Sequence, residues 1–404
     1  MTRHRIIDLF AGAGGWEEGL LQFGRRALGI ELDELATSTA CAAGHDRLAA
    51  DVAALEPRQL GPVEGLIGSP PCQAYSTAGK GLGRADKPRV IACAHELAAG
   101  NDTRAHHAEQ CHDPRSLLTV EPLRWALALK PRWIALEQVP AVLELWSEFA
   151  GLLSVHGYDV AAGLLSAEQY GVPQTRRRAF LIASLDGPVS LPAPTHRSYD
   201  PRDPEAVADG EEGLLPWVSM GEALGWTAPA IAFTNSQTNH GRRPRGLSRP
   251  LACPARTLDT SSGSWTIEPV PFEGEQPAGI DPRRTGSRVR TLARPSQTLA
   301  AATMPVWVHR RPATTVLGDP RIQPPGHKRN GRDPVGRYEE RRGTNAIRVT
   351  AAQASVLQGF RPDYPWQGSR TAQFRQIGNA VCPPLAAQVL AAAMAPTRAK
   401  EASR

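Results

Sequence analysis

A doubly wound α/β domain with a mostly parallel sheet, joined to a second, smaller lobe rich in loops and strands, is the architecture predicted by this 404-residue sequence. Three observations lead there. The first 185 residues alternate short apolar runs with amphipathic stretches, as the strands and covering helices of a parallel sheet do. From about Gly187 the composition turns to Pro, Arg, Gly and Thr with little helical periodicity. Charge divides at the same place: residues 1–185 carry 18 Lys+Arg against 21 Asp+Glu, and residues 186–404 carry 28 against 19.

In chain order, strands are expected at 5–10, 27–31, 65–68, 132–136, 159–164 and 179–183, with helices at 16–23, 34–43, 120–128 and 141–156. In the last helix Val142, Leu145, Trp146, Phe149, Leu152 and Leu153 recur at helical spacing. Ligand sites in such a sheet lie at the carboxyl ends of the strands. The second lobe, 186–345, contains a three-fold pattern at 254–258, 294–299 and 311–316, either a recurring turn-plus-strand unit or a product of Pro/Arg-rich composition. Helix-like sequence resumes at 350–357 and 384–393, so 346–395 is expected to return to the first domain, with 396–404 a disordered tail.

Composition bounds the function. No apolar run is expected to reach the roughly 20 residues of a membrane span, and the chain reads as an unprocessed cytoplasmic monomer. Its six cysteines lack framework spacing, which favours reduced thiols. Residues 242–348 hold 20 basic and 9 acidic side chains, almost all the basic ones Arg, a composition suited to phosphates and guanine edges but also to a solvated surface.

Two segments carry chemistry. Asp8-Leu-Phe-Ala-Gly-Ala-Gly-Gly15 follows the first strand, where glycines let backbone approach a ligand. Glu31 ends the second strand, where an acid can hold ribose hydroxyls, and Asp51 follows an apolar stretch at the expected end of the third. These indicate an adenosine-containing cofactor without separating a dinucleotide from S-adenosylmethionine. Then Gly68-Ser-Pro-Pro-Cys-Gln-Ala-Tyr-Ser76 sets Cys72 just past a strand, after a rigid Pro-Pro pair and before a glycine-rich stretch at 79–83. A lone Cys is usually a small buried hydrophobe, but this loop context suits a nucleophile.

At this point the sequence resembles the DNA cytosine-5 methyltransferase family of bacterial and phage type. The resemblance rests on ordered motifs: 8–15, Pro-Pro-Cys-Gln at 70–73, Asp113-Pro-Arg-Ser-Leu-Leu118, Leu136-Glu-Gln-Val-Pro140, Tyr170-Gly-Val-Pro-Gln-Thr-Arg-Arg-Arg178 and Gln376-Ile-Gly-Asn-Ala-Val381, with 311–318 similar to a further one. It implies the S-adenosylmethionine-dependent methyltransferase fold, a Rossmann-like sheet with a target-recognition lobe, acting on double-stranded DNA, with three roles open: partner of a cognate restriction endonuclease, phage protector or solitary methyltransferase. Carried over residue by residue, Cys72 is the thiolate that adds to cytosine carbon-6, Glu137 the acid at ring nitrogen 3, and Arg178 the contact to the carbonyl oxygen. Arg176 supports a phosphate or the loop, and Gln174 is a supporting residue. Phe10, Gly12, Gly15, Glu31, Asp51, Pro70, Leu118 and Asn379 line the cofactor pocket, and the target base is flipped out of the stack.

Two departures stand out. Gln138 replaces the family's usual Asn and is expected to brace the loops around the nucleophile with adjusted geometry. The polar segment 84–112 is enlarged and holds Cys93, His95, His106, His107, Cys111 and His112; its spacing fits no common zinc signature, so no metal is expected and a longer DNA-contacting loop is. Cys253 and Cys382 are read as structural. Two alternatives remain: RNA as substrate, as in tRNA-methylating relatives that largely lack the basic lobe, and an idle DNA-binding relative, which typically loses the nucleophile or the acid.

Overall fold

A computed structural model describes residues 5–71, 75, 83–200, 202–203, 206–225, 230–234, 249–250, 254–256, 265–269 and 347–402. Cys72, the stretch 79–82, Cys253, most of the Arg-rich 242–348 segment and the second and third copies of the three-fold pattern lie outside the described residues.

The chain runs β1 (Ile6–Leu9), α1 (Gly15–Leu21), β2 (Leu28–Glu31), α2 (Glu34–Ala42), β3 (Asp46–Ala49), β4 (Gly65–Gly68), α3 (Gly83–Ala98), α4 (Arg104–Gln110), α5 (Glu121–Leu129), β5 (Trp133–Gln138), α6 (Leu143–Val155), β6 (Asp159–Ser166), β7 (Gln174–Thr175) and β8 (Arg177–Ser184). Seven of these strands form one sheet in the order β3-β2-β1-β4-β5-β8-β6. The pairs from β3 to β5 are parallel, and β8 runs antiparallel to both β5 and β6. Only about ten residues join β6 to β8, too few for the crossover that a parallel return needs.

Side chains alternate across the sheet, and both faces are buried. Ile7, Leu66, Ile134, Leu136 and Leu181 pack under α3, α5 and α6, whereas Ile6, Ile67, Trp133, Phe180 and Ile182 pack under α1 and the C-terminal helix. The third strand, expected to end near Asp51 but given no bounds, is 46–49. Its sequence, Asp-Arg-Leu-Ala, is partly exposed at the sheet edge.

After β8 come α7 (Met220–Ala223), β9 (Ala230–Thr234), β10 (Arg249–Pro250), β11 (Ala255–Arg256), β12 (Trp265–Pro269) and β13 (Ile347–Arg348), then α8 (Ala351–Leu357), α9 (Arg370–Asn379) and α10 (Pro383–Ala402). Strands β10-β9-β12-β13 form a small antiparallel sheet, and β11 pairs with β7. Helix α10 packs on α1, β5 and β8, burying Leu385, Val389, Leu390, Ala393 and Met394 in the main core.

Three expectations are corrected here. The tail from 396 is not disordered through its length: α10 continues to Ala402, and buried Thr397 donates to Asp186 Oδ2 at 2.6 Å, tying this end to the sheet. The enlarged 84–112 segment is not a loop but chiefly two helices, α3 and α4. Val90, Cys93, Ala94 and Leu97 recur at i, i+3, i+4 and i+7 and are buried, a stripe diluted in the sequence by polar residues and Pro88. The stretch Arg370–Thr397 has the length and apolar content of a membrane span, contrary to expectation, but most of its apolar window is buried inside the protein, as in a core helix.

Candidate active site

The order of the strands reverses between β1 and β4, and there the carboxyl ends of the sheet open into a cavity of about 240 Å3. Its walls come from 10–16 after β1, Glu31 and Asp33 after β2, 69–71 after β4, 137–139 at the end of β5, Arg176 and Arg178 beside β8, and 375–381 at the end of α9. Five sequence motifs far apart in the chain, at 8–15, 70–73, 136–140, 170–178 and 376–381, thus meet in one space.

At one end, Glu31 is fixed by backbone. Its Oε2 accepts from Gly12 N at 2.8 Å, and its Oε1 accepts from Leu32 N at 2.8 Å and Asp33 N at 2.7 Å. A carboxylate has about four acceptor positions, so one remains for a ligand hydroxyl. Gly12 has φ +56°, and a Cβ there would meet no protein atom within 4 Å: the turn bends into open cavity. Phe10 also lies in the left-handed region, at φ +57°. Gly15 is required for another reason, since a Cβ on it would fall 2.3 Å from the Val381 carbonyl oxygen, where the C-terminal segment crosses the start of α1.

Beneath this turn lies a buried charge cluster that the sequence reading did not single out. Asp8 and Glu17 are buried, and Arg47 pairs with Glu17 while donating to Gly12 O at 3.2 Å. Burial first, then the neighbouring Glu17 carboxylate, raises the Asp8 carboxyl well above the usual carboxylate range. An Asp in an apolar strand gives no sequence signal of that kind.

At the other end, Glu137 Oε1 stands 3.0 Å from Arg178 Nε, with both side chains largely buried. Arg178 also donates from Nη1 to Arg177 O at 2.8 Å. Arg176 is buried and donates to Gly378 O at 2.8 Å, so it ties the 170–178 segment to α9. Gln174 does the same through α8, donating to Leu357 O at 3.1 Å and Gln358 Oε1 at 2.8 Å, while Gln358 donates to Ala380 O at 2.6 Å. Pro70 is held by Gln138.

Of the residues expected here, Phe10, Gly12, Gly15, Glu31, Pro70, Glu137, Arg176, Arg178 and Asn379 line the cavity. Asp51 and Leu118 are not among its lining residues: Asp51 is exposed beyond β3 and accepts from Ala53 N at 2.9 Å, and Leu118 is half-buried in a 3-10 turn, Pro114–Val120. Arg375, which reaches Asp33 at 3.3 Å across the cavity lining, went unnoticed in the sequence because surface arginines are common. Burial pushes the thiols of Cys93 and Cys382 up to about 11, leaving both mostly protonated at neutral pH. Three histidines of the insertion lie against separate carboxylates, His95 on Glu148, His107 on Glu96 and His112 on Asp86, while His106 meets Gln110, and among the described residues no three candidate metal ligands group together.

The fold and this cavity define an α/β protein of the doubly wound class with an open cavity at the strand switch point. The chain belongs to the C-5 cytosine-specific DNA methylase family, whose model matches residues 4–95, 103–245 and 262–394, and it is a DNA (cytosine-5-)-methyltransferase. It is 26% identical over 407 residues to the type II methyltransferase M1.HphI of Haemophilus parahaemolyticus, covering 96% of this chain and 86% of that one. It is also 26% identical over 428 residues to the type II methyltransferase M.DdeI of Desulfomicrobium norvegicum, covering 96% and 87%. In fold it is similar to the Dnmt2 methyltransferase of S. pombe, with a TM-score of 0.54 at 14% identity, over 98% of this chain and 99% of that one.

Proposed function

We propose that this methyltransferase moves a methyl group from S-adenosylmethionine to carbon-5 of a cytosine flipped out of a specific duplex sequence, through a transient bond to Cys72. The observation that carries the reading is that one cavity holds both the Glu31–Gly12 turn and the Glu137–Arg178 pair. A ribose-holding carboxylate and a reader of a base edge then face the same space.

The cavity's residues suit the cofactor. Glu31 has an acceptor position left for a ribose hydroxyl, Gly12 leaves room for a ligand, and Phe10, Trp16 and Pro70 supply apolar walls. Asn379 completes the lining at the end of α9. On motif alone, Asp51 is assigned to the adenine amino group and Leu118 to the cofactor pocket. Bound there, S-adenosylmethionine supplies an electrophilic methyl on its sulfonium.

The chain's own residues do the rest. The Cys72 thiolate adds to cytosine carbon-6, which makes carbon-5 nucleophilic. Glu137, held at 3.0 Å by Arg178, shares a proton with ring nitrogen 3 as negative charge enters the ring and accepts from the amino group. Arg178 contacts the carbonyl oxygen. Arg176, bonded to Gly378, serves the loop rather than a phosphate. Once carbon-5 is methylated, its proton leaves to water, the carbon–sulfur bond breaks and the thiolate returns. A base inside the stack is out of reach, so it must turn out to enter the cavity.

Residues 186–345 are assigned to reading the target sequence, and 346–395 to the catalytic domain. Likeness to bacterial type II methyltransferases supports a modification role beside a restriction endonuclease, in the cytoplasm of a bacterium. The test is tritiated methyl transfer to duplex DNA and to tRNA, with the wild-type protein and Cys72→Ser. Transfer to DNA alone, lost in Cys72→Ser while cofactor binding persists, is expected. Full activity of Cys72→Ser, or transfer to tRNA only, overturns the reading.

A further inference from the structure

We propose that Asp86, on the first turn of the inserted helix α3, is a positioning residue for methyl transfer that holds the nucleophile segment through Ser116 and Tyr75. The inference rests on reading Cys72 as the nucleophile. Tyr75 stands three residues after it, is buried in the main core, and donates from its hydroxyl to Ser116 O at 3.3 Å. Ser116 is fully buried and donates from Oγ to Asp86 Oδ2 at 2.7 Å. The same carboxylate accepts from Asp113 N at 3.0 Å on Oδ2, and from His112 N at 2.8 Å on Oδ1, with His112 Nδ1 also 2.8 Å from Oδ1.

One fully buried carboxylate therefore collects four contacts from residues 112–116. Burial by itself would raise this carboxyl; the donors of His112, Ser116 and Asp113 outweigh it and hold it down to about 2. It is ionised at neutral pH and accepts only, so His112 Nδ1 carries the proton between them. The insertion thus begins and ends on one side chain: Asp86 lies three residues into α3, and Asp113 opens the motif that follows. Ser116 links the two sides, its hydroxyl on Asp86 and its carbonyl under Tyr75. A shift of the 113–116 turn would move Tyr75 and, three peptide units away, the sulfur that must meet carbon-6. Misplacement by about 1 Å costs on the order of a hundred-fold in rate.

The experiment follows covalent capture of duplex DNA in which every cytosine is 5-fluorocytosine, with S-adenosylmethionine present, since fluorine at carbon-5 blocks the release step. Asp86→Ala is expected to slow capture about ten-fold or more and Tyr75→Phe about three-fold. The final yield per folded protein and the cofactor Kd should stay within about two-fold. The double variant should be no slower than Asp86→Ala, because both act along one path. If Asp86→Ala does not fold, Tyr75→Phe and Ser116→Ala carry the test. Capture at the wild-type rate in the folded variants, or a loss only of yield in proportion to folded protein, overturns the inference. Failure of the nucleophile reading looks different: the wild-type protein captures nothing, or Cys72→Ser captures normally.

Discussion

Gln138 donates from Nε2 to the carbonyl oxygen of Pro70 at 2.6 Å, and its Oε1 accepts from Val139 N, so one buried carboxamide joins the end of β5 to the segment that leads to Cys72. Gln138→Ala should leave the Pro70 carbonyl without this donor in a buried setting, a loss of about 1–3 kcal/mol. The expected result is a fall in kcat of about ten-fold or more with little change in cofactor KM. Steady-state methylation with each substrate varied checks it; a cofactor KM effect alone would place Gln138 with the cofactor instead.

Glu137 and Arg178 form the second pair. Glu137→Gln keeps the shape but removes the charge that Arg178 faces at 3.0 Å and the carboxyl that shares a proton with the ring. Proton sharing of this kind contributes about 10²–10⁴ in rate. Glu137→Gln should therefore lower kcat by about a hundred-fold or more while the cofactor Kd holds. Titrating the cofactor by fluorescence alongside single-turnover methylation separates the two effects.

Much of this was legible in the sequence. The strands that line the site have apolar runs at strand length, and Gly68, Glu137 and Arg178 fall where the motifs predict, at or beside strand ends. Helix α3 was missed because its apolar stripe of Val90, Cys93, Ala94 and Leu97 is broken by charged neighbours and by Pro88, so burial on α5 and α6 decides its state rather than local pattern. The Asp86 clasp, the Gln138–Pro70 bond and the Arg176–Gly378 tether join residues 26 to 202 positions apart. Such pairings depend on three-dimensional proximity that no spacing rule encodes.

Glu31 should govern cofactor affinity, because its Oε2 keeps an acceptor position beside Gly12 N. A hydrogen bond to a charged group contributes about 1.5–3 kcal/mol, roughly ten- to a hundred-fold in Kd. Glu31→Gln also places an amide where Gly12 N or the Leu32 and Asp33 N–H groups now donate, so part of the effect comes from the turn itself. Equilibrium dialysis with S-adenosylmethionine should show weakening by about that factor. Wild-type affinity would assign the ribose to another residue.

Asp8 makes stability depend on pH. Burial, then Glu17, raises its carboxyl well above the ordinary value, so the folded state holds a proton that the unfolded chain has released. A raised carboxyl contributes most stability below the unfolded value near 3.8 and loses it as pH rises through the folded one. Above that point the protein must either bury a second negative charge beside Glu17 or give up part of the cluster around Arg47. Asn at this position donates without titrating. Asp8→Asn should therefore match the wild type near and below pH 3.8 and gain on it as pH rises from there through the folded value, by about 1–3 kcal/mol in all, with no further gain above it. Urea unfolding at a series of pH values tests it; parallel curves for the two proteins would mean that Asp8 binds its proton equally in the folded and unfolded chain.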